Sequence, residues 1–436
     1  MTDQPMPAAM SARDVLRIPA YRRIWLGQLV SDAGDGLTNL ALLLLVNHLT
    51  GSTAAIAAMA ICLAVPPLTI GLFAGAYVDR ANRRRIMLAS DLLRAGTVLG
   101  FTLVGSADML WLLFILAFTQ ASVGTFFTPA RAAVVPKLVP GEGLLAANSV
   151  AQATRVVSGI VGAGLAGLLI GLAGVFWPAF VLDSLSFVAS FVLILGVPAA
   201  AGAIDPIPAA GGTGAPAEPQ GIGASLRVGL ARVASSRLLS TTILSLAVVM
   251  LGLGAVNVLF VPLLASDLQV NPAWFGALDL AQSASMILAA GMIGVIAARF
   301  RSTTIVTVGL VGVAVLISLT GAVTAIWQVL VLMFLIGWFV SPLQAAVITM
   351  LQLNVEDAER GRIMSVLNAA MSGTTVVSMA FAGIAGDVVG VRNVFFLAGA
   401  VVAVGAVISL IGFRGTNPRS AADAGRLPAL PTAVAD

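Results

Sequence analysis

Asp32, Asp35 and Asn39 stand at i, i+3 and i+7 in a largely apolar run from Ile24 to His48, a spacing that lines one face of an α-helix. Two carboxylates that close in a low dielectric do not both ionise easily. One of them can then take up a proton on one side of a barrier and release it on the other. The same acids also fit a capped or snorkelling pair near a helix end, since Asp32 is only about two turns from Ile24. Arg155, with Asn148 and Gln152 at helical spacing, suits either neutralising such an acid, contacting an anionic substrate, or pairing inside a helix bundle. Asp183, and Asp279 with Gln282, are further ionisable candidates in apolar runs. A charge at the centre of a membrane helix costs about 2.5–3.5 kcal/mol on insertion scales, so it is rarely there without a role. Asn257, Gln344, Gln352, Asn368 and Ser372 are polar residues that either line a cavity or join helices.

Other chemistries are excluded by scarcity. One Cys (Cys62) allows no disulfide within the chain and no thiolate zinc site. One His (His48) rules out a bis-histidine haem, and no metal site or cofactor is expected. The one Lys (Lys137) lies in Val-Val-Pro-Lys-Leu rather than in a phosphate-binding Gly-Lys-Ser/Thr loop. No catalytic residues are assigned, and an enzyme is not expected.

The elements that must hold these residues are membrane helices. Of the 436 residues, 59% are hydrophobic and 10% charged, with a mean hydropathy of +1.03; soluble domains carry about 45–50% and about 25%. Twelve apolar runs, each near the ~20 residues that span a bilayer, fall at 24–48, 53–77, 86–106, 109–130, 145–171, 176–197, 238–264, 273–298, 303–322, 325–350, 363–386 and 392–413. Only Gly174 to Pro178 separates the fifth from the sixth. The segment 1–23 precedes them and lacks a signal-cleavage site, so it is expected to be retained. An Ala/Gly/Pro-rich stretch, Ala199 to Gly221, reads as a linker. After it Ile222, Leu226, Leu230 and Val233 recur at helical spacing, suggesting a helix lying on the membrane surface up to residue 237. The tail runs from 414 to 436.

With the N-terminus inside, 20 of the 23 basic residues fall in cytoplasmic segments, from Arg13, Arg17, Arg22 and Arg23 through Arg80, Arg83, Arg84 and Arg85 to Arg414, Arg419 and Arg426. The positive-inside rule then places both termini in the cytoplasm. The pI near 10.2 is therefore a topology signal, and no nucleic-acid partner is expected. An internal echo supports two halves, 24–198 and 238–413. Pro129-Ala-Arg-Ala-Ala-Val-Val parallels Pro342-Leu-Gln-Ala-Ala-Val-Ile, and Asn148 and Asn368 are each followed eight residues later by Val-Val-Ser. Duplicated halves around a midplane site are a transporter pattern.

The most specific motif joins the second and third runs: Gly75-Ala-Tyr-Val-Asp79-Arg80-Ala-Asn82-Arg83-Arg84-Arg85. Gly75 would permit close helix approach, and Asn82 would tolerate a left-handed turn as glycine does. This resembles the Gly-x-x-x-Asp-Arg-x-Gly-Arg-Arg loop of the major facilitator superfamily, with Asn82 in place of the second glycine. The resemblance implies a twelve-helix, all-α fold of two pseudo-symmetric six-helix bundles. It also implies that Asp79 and Arg83 make charge contacts between the halves that hold one access state and break in the other. Asp91 and Arg94 either join that network or form a local pair. Gln28 to Gly36, Leu49 to Ser52, Phe180 to Phe187 and Gly361 to Ser365 are similar to the third drug/proton antiporter family, which includes macrolide-efflux and enterobactin-exporter relatives. Ser158 to Gly167 resembles the glycine-rich fifth-span motif of proton-coupled exporters, without its proline.

These observations favour a monomeric inner-membrane transporter of a small amphipathic or drug-like organic compound driven by protons, with lipid, substrate and protons as partners; that it exports, by antiport, is what the family resemblance implies. Asp35, with Asp32, would take the proton. The remaining polar candidates would line a cavity between the halves. An exporter of an endogenous metabolite, such as a siderophore or self-made antibiotic, shares this architecture; a non-transporting sensor or assembly factor on the same fold is the reading from another class.

Overall fold

A computed structural model describes residues 10–203, 222–355 and 357–416. The segment 1–9, most of the linker (204–221) and the end of the tail (417–436, with Arg419 and Arg426) lie outside the described residues. Among those described, eleven helices are long and apolar enough to cross a bilayer, and the second of the twelve runs is present as two shorter helices.

A short helix α1 (Ala12–Leu16), closed by a Ser11–Asp14 capping box, leads into α2 (Pro19–Thr50), which starts on a proline whose missing N–H needs no partner there. The second run folds as α3 (Thr53–Thr69) and α4 (Gly71–Val78). Pro66 and Pro67 each remove a backbone donor, and the helix ends one turn later. The first half continues with α5 (Arg83–Gly100), α6 (Leu110–Leu138), α7 (Leu144–Ala173) and α8 (Trp177–Leu195). The expected break between the fifth and sixth runs is made by Gly174 at φ +67, a left-handed cap whose N–H returns to Ile170 O.

The surface helix is α9 (Ile222–Ser235); Val233 is buried, Leu230 is exposed, and Arg232 pairs with Glu359 at 2.8 Å. It is followed by α10 (Arg237–Pro262), α11 (Phe275–Arg299), α12 (Ser302–Thr320), α13 (Ile326–Asn354), α14 (Asp357–Val389) and α15 (Val391–Gly412). After Pro262 the last turn of α10 widens into a π segment, Leu263–Asp267.

Two compact units result: residues 10–203 with 264–279, and 222–263 with 280–416. In the first, α2 packs on α7 and α8, and α5 on α6 and α8. In the second, α10 packs on α14 and α15, and α12 on α13 and α15. The pairing order is the same, so the faint echo in the sequence corresponds to a repeated packing scheme. Within each unit the helices meet through buried Ala, Val, Leu and Phe, while large apolar side chains such as Phe73, Leu172 and Val388 stay exposed. Such an outer surface is stable only in lipid. Trp111, Trp177 and Trp327 are exposed at the first turns of α6, α8 and α13, where interfacial tryptophans anchor helices.

Candidate functional site

The first unit holds a cluster of ionisable groups where α2, α5 and α8 meet. Arg94 on α5 donates from Nη2 to Asp35 Oδ1 on α2, and its guanidinium lies 4.1 Å from the centroid of the Phe187 ring on α8. Asp183, one turn before Phe187, is completely buried; Thr38 Oγ1 donates to its Oδ2 at 2.5 Å and Ser186 Oγ to its Oδ1 at 3.1 Å. Gly34 makes this possible: a Cβ there would lie 2.1 Å from Asp183 Oδ1 and 2.3 Å from Ser186 Oγ. Asp91, one turn before Arg94, is also completely buried, and neither carboxylate oxygen has a hydrogen-bond partner; Ser190 faces it outside ordinary bonding geometry.

Three carboxyl groups therefore surround one guanidinium. Asp91 and Arg94 are not neighbours of the arginine-rich loop: Arg94 is eleven residues beyond Arg83, about 16 Å along a helix at 1.5 Å per residue. The sequence left Asp91 and Arg94 open between that loop and a local pair, and it singled out Ser186 and Phe187 only within the Phe180 to Phe187 stretch; it missed Thr38 and the role of Gly34. Only the i, i+3 spacing of Asp183 and Ser186 hinted at a shared partner.

Asp32 and Asp35 do not form an isolated pair. Asp35 is taken by Arg94, whereas Asp32 lies within electrostatic reach of Arg131, Arg155 and Arg94 as well as Asp35. Near them α2, α6 and α7 enclose a cavity of about 290 Å³ lined in part by Tyr21, Trp25, Gln28, Arg131, Asn148 and Thr154. Trp25 Nε1 donates to Thr154 Oγ1 at 2.8 Å and Tyr21 Oη to Ala147 O at 2.9 Å, fixing two aromatic walls. Arg155 and Gln152 are exposed, as is Asn39.

The loop between α4 and α5 corrects two sequence expectations. A Cβ on Gly75 would meet nothing within 4 Å, so this glycine serves no close approach; α4 packs on α6 through Ala74 and Val78 instead. Asn82 is not left-handed but extended (φ −67, ψ 109), and its Oδ1 accepts from Arg85 N at 3.1 Å as the N-cap of α5. Asn82→Ala should therefore lower stability by about 1 kcal/mol and Asn82→Gly by only a few tenths, an order that thermal unfolding of the purified protein can check. Arg84 donates to Ile194 O and Leu195 O at 3.3 and 2.7 Å, and Arg23 to Gly196 O, capping the C-terminus of α8. Arg84→Ala should lower the unfolding temperature by a few degrees through loss of these charged hydrogen bonds, each worth ~1.5–3 kcal/mol when buried and less where exposed. Asp79 and Arg80 are exposed.

In the glycine-rich stretch of α7, a Cβ on Gly162 would fall 2.0 Å from Ala33 O of α2, and one on Gly167 would fall 2.3 Å from Pro272 O. Asp279, also in the first unit, is exposed; in the second unit Gln282 is half-buried, and Asn257, Gln344 and Asn368 are exposed. The structure thus brings Asp35, Asp91, Arg94 and Asp183 together and leaves the other candidates outside that cluster.

Two units of membrane helices with the same packing order, the first with ionisable groups buried among its helices, define a transporter class. The Major Facilitator Superfamily model matches residues 24–241 and 242–433, and the chain belongs to that family of membrane transporters. Macrolide efflux protein A of Streptococcus pyogenes is 23% identical over 388 residues, covering 88% of this chain and 93% of that one. Multidrug efflux pump Tap of Mycobacterium tuberculosis is 27% identical over 402 residues, covering 88% and 90%. Among solved structures, a mutant of the nucleoside transporter NupG superposes with a TM-score of 0.73 at 11% identity, covering 91% of this chain and 100% of that one. At that identity it speaks for the fold alone.

Proposed function

We propose that the protein exports an amphipathic, drug-like organic compound by alternating access, in exchange for protons. The observation that carries this reading is the buried Asp35–Arg94–Asp183–Asp91 cluster in a chain whose family transports small molecules. Buried ionisable groups in transporters mark ion pathways and proton relays. Export rather than import rests on the efflux proteins among its relatives. The bundles 24–198 and 238–413 would be the moving bodies, with Asp35, and Asp32 beside it, as the aqueous contacts of the proton route. Asp79 and Arg83 would gate the arginine-rich face, and Arg155, Gln152, Asn39, Asn257, Asp279, Gln282, Gln344 and Asn368 would contact substrate. The distribution of arginines supports a bacterial inner-membrane location with both termini cytoplasmic.

The test is accumulation of a radiolabelled macrolide and of ethidium in a pump-deficient bacterial strain. Cells expressing the wild-type chain should hold less than half as much as empty-vector cells, and an uncoupler should erase the difference. Equal accumulation of both probes with and without the protein would contradict drug export and favour an endogenous substrate.

A further inference from the structure

We infer that protons are stored on the two buried acids Asp183 and Asp91, which both face Arg94, with Arg94 as a counter-ion that exchanges between Asp35 and Asp183. This deepens the proton-coupled reading above and rests on it. The reasoning is one of charge. The cluster has three carboxyl groups and a single guanidinium, and its exposure is greatest at Asp35. The Asp35 side chain is 32% exposed and that of Arg94 11%, whereas Asp91 and Asp183 are both at 0%. An ionised carboxylate without a partner is strongly disfavoured in such surroundings. Arg94 is engaged with Asp35, so two carboxyl groups remain without a cation of their own.

The charged groups facing Asp183 are Asp35 from α2 and Arg94 from α5, and the same two face Asp91. Helix α6 brings the neutral amide of Gln120, whose Oε1 accepts from Thr97; its Arg131, with Arg155 of α7, lies by Asp32. Neutrality is reached when Asp91 and Asp183 each carry a proton. The local contacts accommodate this. The 2.5 Å contact between Thr38 Oγ1 and Asp183 Oδ2 can run in either direction, with the hydroxyl accepting from a protonated carboxyl. The missing Cβ of Gly34 lets the α2 backbone cover Asp183 and keep water from it.

A relay follows without any further group. When Asp183 gives up its proton, its carboxylate competes for Arg94. The guanidinium then leaves Asp35, and Asp35, the most exposed of the three acids, takes a proton in turn. The proton that Asp183 gives up is the one that Asp35 takes, so the cluster carries the same net charge before and after the exchange. This differs from the sequence expectation, in which Asp35 and Asp32 themselves held it.

The test is infrared spectroscopy of the purified full-length protein in lipid nanodiscs near neutral pH, with carboxyl-labelled aspartate to assign the protonated carboxylic-acid carbonyl band. Two buried protonated aspartic acids are expected in the wild type. Asp183→Asn, which mimics the protonated acid and fills the same space, should remove one; so should Asp91→Asn. Asp108→Asn, at an exposed turn, should leave the band unchanged. A wild-type protein with no such band overturns the assignment, whether or not the variants fold. A band insensitive to both Asp183→Asn and Asp91→Asn does so too. Because the band reports protonation without transport, the two claims separate: substrate-driven proton flux without the band overturns the assignment alone, whereas the band without such flux overturns coupling itself.

Discussion

Arg94→Ala should reduce efflux by at least tenfold while the protein still reaches the membrane. Arg94 is the cation of the α2–α5–α8 cluster: it pairs with Asp35, stacks on Phe187, and faces both buried acids. Removing one partner of a buried ion pair costs about 3–5 kcal/mol if the other partner stays charged. In this cluster the partner left behind, Asp35, is 32% exposed rather than fully buried, so the fold survives and the relay does not. Arg94→Lys should recover only part of the activity, since an ammonium lacks the planar face that stacks on Phe187. The measurement is uncoupler-sensitive macrolide accumulation alongside membrane expression. Full efflux by Arg94→Ala would remove the cluster from the mechanism.

Gly162→Ala should be the most damaging single methyl group in the first unit. Its Cβ would sit 2.0 Å from Ala33 O and 2.8 Å from Leu37 N, both backbone atoms of α2 that no rotamer change can move. Overpacking of this kind costs about 1–3 kcal/mol and more where backbone must shift. Because α2 carries Asp35, Thr38 and Gly34, any displacement of it also opens the cluster. Gly159→Ala, one turn earlier on α7, is the control: nothing lies within 4 Å of the added carbon. There the helix-propensity gain of about 1 kcal/mol should stabilise. Unfolding temperatures of the two purified variants should move in opposite directions from the wild type.

Much of the fold was legible because lipid imposes one simple rule, that apolar runs of about twenty residues become helices. The runs, the Gly174 break and the helix after the linker all correspond to described elements. The second run was not legible as two helices, because the cost of Pro66 and Pro67 depends on how the neighbouring α6 supports the chain. The candidate site was legible by residue type and illegible by partner. Asp35, Asp183, Asp91 and Arg94 each stand out as charges in apolar sequence, yet they lie on three helices whose pairing no local pattern encodes. Gly75 and Asn82 show the converse. Their motif is recognisable in sequence, but open space at one and an N-cap at the other give physical roles different from those the motif suggested.

The central claim, that substrate and proton movements are linked, is tested most directly in proteoliposomes of the purified chain with a pH-sensitive dye trapped inside and no imposed pH gradient. An outward or inward macrolide gradient should drive proton movement in the opposite direction to the substrate, detected as a change in internal pH. The change should vanish in Asp183→Asn liposomes. Macrolide flux of normal size with no change in internal pH would contradict the account.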